Sequence, residues 1–297
     1  MLPKYTPFDE TTYAPGIGVR PLHLTNWIEV DAHLTTYLAE KHRLIAEIPD
    51  LVWAGDFASE AAQQEVLRLL VPHLLSHFPE TYKRNGNLIS IEGAPDVDLD
   101  DISVPPLQAA SLLVQEDLVL MHKTPEGWRL VAASLCFPSS WILREKIGKV
   151  MHDIHEPVPD FQKGTRNALM IERIFDNMRV ELPTERFNWS IYNNDALYHA
   201  DRPGEHFPDQ SKGEYDYFLR VEHQTLRKLP ESGDILFGIR IHIDPLQVLA
   251  SRPDRADLGR EFINSIERMP ADHAQYKGLE GHRQELINRI LEVTQGA

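Results

Sequence analysis

Apolar residues recur at helical spacing between Trp27 and Ala46, and again between Ser59 and Phe78, where Leu67, Leu70, Leu74 and Leu75 mark one stripe. Both stretches predict amphipathic helices, with Ser59 as N-cap of the second. The period then shortens. Leu118 to Lys123 and Trp128 to Phe137 read as two strands joined by the turn-like Thr124-Pro-Glu-Gly127, a hairpin pattern. Pro138 stops the second strand, and Trp141 to His155 predicts one helix ended by Glu156-Pro157-Val-Pro159. A helix near Arg166 to Met178 follows, then strands at Phe187 to Tyr192, Tyr217 to Leu226 and Ile235 to Ile243. Stripes led by Leu258, Phe262 and Ile266 and by Leu286, Ile287 and Ile290 predict helices after Pro245.

Two strands, helices and three more strands imply an α+β fold with a PAS-like antiparallel sheet and additional N- and C-terminal helices. Prolines and glycines in the first ~26 residues favour an extended arm over residues 1–26. Residues 27–297 are expected to form a single domain with a C-terminal helical extension. The acidic, proline-bearing stretch from Glu92 to Pro106 reads as a surface loop.

Composition narrows the function. The 297 residues carry 30 Lys and Arg against 45 Asp and Glu, a formal charge of -15 that repels phosphate backbones and argues against nucleic acid. The start has no basic and apolar leader, and no stretch approaches ~20 uninterrupted apolar residues, so a cytoplasmic protein is expected. The one cysteine, Cys136, supplies neither an internal disulfide nor an iron–sulfur cluster. GxGxxG, GxxxxGK[ST], HExxH and paired CxxC motifs are absent, so this chain has no recognisable site for a nicotinamide, a nucleotide or a structural zinc.

Several long segments carry a resemblance. They are Trp128 through Trp141, Glu145-Lys-Ile-Gly148, Ile154-His-Glu-Pro-Val-Pro159, Phe187-Asn-Trp-Ser190, Arg220 through Pro230, Ile235 through Arg240, and Asp244-Pro245. In order and spacing they resemble the haem-dependent oxidative N-demethylases over roughly Trp27 to Leu249. That resemblance implies haem b in a catalytic subunit that uses O2 to oxidise a small secondary amine such as dimethylamine. It also implies NADPH-dependent reductase partners that carry FMN and a 2Fe–2S cluster, and tetrahydrofolate on another subunit as the one-carbon acceptor.

Within that frame His155 is the expected axial ligand, since haem proteins of the PAS type deliver an imidazole from a helix into an apolar pocket. A histidine at a helix C-terminus also serves as a cap, and His152 and Cys136 are the rival ligands. Trp141, Phe137, Met151, Gln224 and Tyr192 are the expected cofactor-binding neighbours, with Tyr198 beside them. Strand alternation puts Arg220, Glu222 and Gln224 on one face, and a hairpin across Pro230 to Asp234 is expected to bring Arg240 near them. Glu222 would take the ammonium and its proton, and Arg220 and Arg240 would stabilise negative charge. An Arg–Glu pair on a solvated sheet face is the plainer alternative, and a haem-based gas or redox sensor is the other functional class.

Overall fold

The computed structural model describes residues 3–8, 17–200 and 217–296. A two-residue strand β1 (Arg20–Pro21) is followed by helix α1 (Leu34–Glu47), a single turn α2 (Pro49–Val52), strand β2 (Trp53–Gly55) and helix α3 (Glu60–His77). Next come the strands β3 (Tyr82–Asn85), β4 (Leu88–Ile91) and β5 (Ala94–Asp98) and a short helix α4 (Pro106–Ser111). The hairpin β6 (Asp117–Thr124) and β7 (Gly127–Ser134) leads to two single turns, α5 (Leu143–Lys146) and α6 (Met151–Ile154), and to helix α7 (Arg166–Asn177). The long strands β8 (Thr184–Tyr192), β9 (Phe218–Lys228) and β10 (Ile235–Pro245) follow, and helices α8 (Arg255–Glu267), α9 (Ala271–Tyr276) and α10 (Arg283–Gln295) close the chain.

The fold is α+β. Seven strands form one antiparallel sheet in the order β1-β8-β9-β10-β6-β7-β2, and β3, β4 and β5 form a second, smaller one. Among the five long strands, β6 and β10 are neighbours at the centre, so the first and last of them in sequence pair directly. The small sheet was not legible in sequence. Its strands are four or five residues long, and β5 lies inside the acidic stretch that reads as a loop.

Most of the longer strand and helix predictions match the elements, but the first helix starts at Leu34 rather than Trp27, Ser59 makes no side-chain cap bond to α3, and the expected helix from Trp141 to His155 is interrupted. Gly148 adopts the left-handed region at φ 77°, and the backbone beside it bonds sideways to β7: Gly148 N–H donates to Leu130 O (2.9 Å) and Leu130 N–H to Lys149 O (3.0 Å). Those ladder bonds replace helical ones, leaving only the turns α5 and α6. The apolar stripe expected along a continuous helix therefore does not exist as such.

Three apolar clusters hold the layers together. One gathers α3, α4 and the small sheet around Leu70, Val66 and Leu107. A second fills the space between the large sheet and α6 and α7, with Ile239, Met121, Ile171 and Phe175. The third packs α8 and α10 on the other side of the sheet, where Phe262 stacks on Phe8 at 4.0 Å and meets Trp189 edge-on at 5.1 Å. Burying an aromatic such as Phe262 contributes about 1.5–3 kcal/mol. Among the described residues no helix is long and apolar enough to cross a membrane.

Candidate functional site

A cavity of about 590 Å³ opens between the large sheet and its helical cover, within the ~300–1,000 Å³ range of small-molecule and cofactor sites. One wall is apolar: Met151, Ile154, Val158 and Phe161 around α6, and Ile171, Ile174 and Phe175 from α7. Alternation on the strands builds the other wall. Register opposes Arg186 to Gln224 and Asn188 to Glu222 across β8 and β9, and opposes Ile239 to Gln224 across β9 and β10, so these side chains share one face. All of them line the cavity, together with Val119 and Met121 of β6.

His155 caps α6 and lines the cavity. Its Nδ1 lies 2.9 Å from Met151 O, and a carbonyl only accepts, so Nδ1 carries the proton. Among the described residues Nε2 has no hydrogen-bond partner. Burial holds this imidazole below its ordinary pKa, with the Met151 carbonyl opposing that shift, so the neutral form is favoured. The cap reading and the ligand reading thus coincide: one nitrogen closes the turn and the other stays available. His152 instead lies near Glu172 and Asp153, at 3.6 and 3.4 Å, and Cys136 is buried with its thiol pushed up to about 12 by burial. Neither lines the cavity.

The remaining expected residues separate into two groups. Trp141, Met151, Glu222 and Gln224 reach the cavity, and Gln224 Nε2 donates to Glu222 Oε2 at 2.5 Å. Phe137, Tyr192, Arg220 and Arg240 do not. Phe137 packs edge-on against Tyr37 at 5.3 Å, and Tyr192 meets the Ser140 hydroxyl at 2.9 Å.

Arg220 shares the face of Glu222, yet its guanidinium is spent on oxygens of the chain. It donates to Ser139 Oγ (2.9 Å), Phe137 O (2.9 Å), Pro138 O (3.2 Å), Leu197 O (3.0 Å) and Ala196 O (3.2 Å). Asp117 holds the same loop from the other side, accepting from Cys136 N and Phe137 N at 2.8 and 2.7 Å. Burial, only partly opposed by Lys41 and these N–H groups, pushes the Asp117 carboxyl up to about 6. Together they fix the segment that carries Ser140 and Trp141 to the cavity, with Ser140 in the left-handed region at φ 65°.

The expected grouping of Arg240 with Glu222 needs correction. Arg240 pairs in register with His223, one residue along from Glu222, so it projects from the opposite face. There it bonds Asp31 at 2.7 Å and lies 4.3 Å over the Tyr37 ring. That face also holds a buried ion network. His223 Nδ1 meets Glu29 at 2.5 Å and Nε2 meets Glu185 at 2.6 Å, and Tyr5 OH donates to Glu29 at 2.7 Å.

Three groups not anticipated from sequence complete the polar wall: Arg186, Tyr276 and Lys277. Burial lowers the Arg186 pKa against the opposing charge of Glu222, and pushes Tyr276 up to about 12. Lys277 donates to Asn188 Oδ1 (3.0 Å) and Trp189 O (2.5 Å), and burial brings it down to about 8 despite Glu222. The alternation Arg186, Asn188, Ser190 was a usable signal for the first; nothing local marks the other two.

The cavity has features that fit a haem. Its apolar wall can exclude water from a flat macrocycle, and of its two lining histidines His155 offers Nε2 while His273 turns Nε2 to Asp160 at 3.1 Å. Among the described residues no three His, Cys, Asp or Glu side chains converge as a metal-ligand set. Comparison with known families gives the same direction. The chain belongs to the family described as haem-dependent oxidative N-demethylase, alpha subunit-like, whose model matches residues 18–287.

Proposed function

We propose that this chain binds haem b through His155 Nε2 and oxidatively demethylates a small secondary N-methylamine, with electrons from a partner reductase. Family membership supports the reaction class, and the phrase alpha subunit-like supports the existence of partner subunits. The single observation that carries the reading is His155: a cavity-lining imidazole whose Nδ1 is fixed by Met151 O, leaving Nε2 available.

Bound there, haem would supply the activation of O2 with two electrons from the partner. The balance is one N-methyl group, O2, two electrons and two protons giving an N–H, formaldehyde and water. The protein's own part is binding and proton handling. Met151, Ile154, Phe161, Ile171 and Phe175 exclude water. Glu222, its Oε2 held by Gln224, attracts the alkylammonium and takes its proton at the free Oε1, because the neutral amine is the form that loses electrons readily. Arg186, rather than Arg220 or Arg240, brings a guanidinium to the cavity wall.

Adding haem to the purified haem-free protein and recording the Soret band tests this reading. A stoichiometric band that His155→Ala abolishes is expected. A protein that takes up no haem, or a variant with an unchanged band, would end it.

A further inference from the structure

The cavity wall holds a cation that the described residues do not pair. Arg186 Nε is buried without a hydrogen-bond partner, and among the described residues its guanidinium makes no hydrogen bond and no ion pair. An arginine keeps its charge in a protein, so a half-buried guanidinium on a cavity wall, with its Nε buried and no carboxylate of the described residues paired to it, is open to an anionic ligand. Arg220 rests on four carbonyls and a hydroxyl, and Arg240, whose Nε is likewise unpartnered, still donates through its Nη atoms to Asp31 and to Ile241 O.

Sheet register sets where that anion would sit. Arg186 stands opposite Gln224 and Asn188 opposite Glu222, so Arg186 and Glu222 are diagonal neighbours, about 7–8 Å apart across the strands. They do not close on each other. Glu222 is engaged by Gln224, and Asn188, directly opposite Glu222, is engaged by Lys277, whose ammonium adds a second positive charge to the wall. A fixed cation and a fixed anion held one diagonal apart complement a zwitterion: a secondary ammonium against Glu222 and a carboxylate in the bidentate fork of Arg186.

We propose that the substrate is an N-methylated amino acid, with N-methylglycine the simplest, and that Arg186 binds its carboxylate. This rests on the N-demethylation reading above and narrows its substrate class. The products by the same balance are the parent amino acid and formaldehyde. The other carboxylates that could reach Arg186 are the propionates of the haem, and the experiment separates the two sources.

Full-length protein, haem-free and haem-loaded, is titrated with N-methylglycine and with dimethylamine by isothermal calorimetry, and the loaded form also by its Soret band. N-methylglycine is expected to bind at least tenfold more tightly than dimethylamine. Arg186→Met should weaken N-methylglycine by tenfold or more, while dimethylamine affinity and haem uptake stay within twofold. Arg186→Lys, which keeps the charge but not the fork, should retain part of the preference and stands in if the Met variant does not fold. Equal affinities of the wild-type protein for the two amines would overturn the proposal. So would loss of haem uptake in either variant, because that assigns Arg186 to a propionate. A wild-type protein that takes up no haem sinks the function proposed above instead, and calorimetry on the haem-free form still reads whether the two amines differ.

Discussion

His155 Nδ1 is held 2.9 Å from the carbonyl oxygen of Met151, and that contact decides which imidazole nitrogen is left for the cavity. His155→Ala should fold with nearly unchanged thermal stability yet lose the Soret band, and added free imidazole should partly restore it. Because burial holds the imidazole below its ordinary value, haem retention should persist as pH falls past about 6.5 and fail only further into acid. A spectrophotometric pH titration checks both statements, and haem loss that begins above neutrality would contradict the assignment.

Glu222→Gln keeps the shape of the side chain and its contact with Gln224 but removes the charge. Haem content should be unchanged, and kcat/KM for the amine should fall by roughly 10²-fold or more. Steady-state formaldehyde release reads the effect; a variant that instead loses haem would make Glu222 a structural residue.

Arg220→Ala leaves four carbonyls and the Ser139 hydroxyl without their donor, and the segment from Phe137 to Trp141 without its clamp. Denaturant melts should show a loss of about 3 kcal/mol or more. Lysine, with one compact ammonium in place of the five-donor fork, should recover little of it. A stability change under 1 kcal/mol, on the scale of an exposed site, would show that the clamp does not matter.

Arg240→Met acts on the other face of the sheet. It removes the ion partner of a partly exposed Asp31, so a cost of about 1–2 kcal/mol is expected. Amine affinity and haem uptake should be those of the wild-type protein. A tenfold fall in amine affinity would mean that the two faces communicate.

His223 carries the clearest pH signature. Burial alone would lower its pKa, but hydrogen bonds and charge from Glu29 and Glu185 outweigh burial and raise it. Its stabilising contribution is therefore complete below the unfolded value of about 6.5 and is lost as pH climbs through the raised folded value. Lys4 and Tyr5 reach this network through Glu29, and Arg20 through Glu185, so residues at the N-terminus should loosen first on the alkaline side. Thermal melts across about pH 6–9 should show a decline that His223→Gln flattens; identical slopes in the two proteins would remove His223 as the cause.

Much of this site was legible in the chain. Glu222 and Gln224 alternate on β9 as a strand demands, and His155 lies in the Ile154-His-Glu-Pro-Val-Pro159 segment, just before a proline pair. Trp141 and Met151 lie in the same neighbourhood, and all five line the cavity. The failures have separate causes. Gly148 and the ladder bonds at Leu130 broke a helix whose apolar periodicity looked continuous, because tertiary hydrogen bonds outcompeted helical ones. Tyr276 and Lys277 come from α9 and the residue after it, about fifty residues beyond Glu222, where nothing local points to a cavity.

Local pattern by itself determined the kinds of elements, their order, and which residues within one strand face the same way, because side-chain direction repeats every two residues in a strand and every 3.6 in a helix. Only the tertiary structure decided how those faces align between strands. A register that sets Arg240 against His223 rather than Glu222 sends one arginine to Asp31, and the register of β8 against β9 puts Arg186 on the cavity without a partner among the described residues. A slip of one residue would exchange every such face, and nothing in the spacing within a single strand fixes that choice.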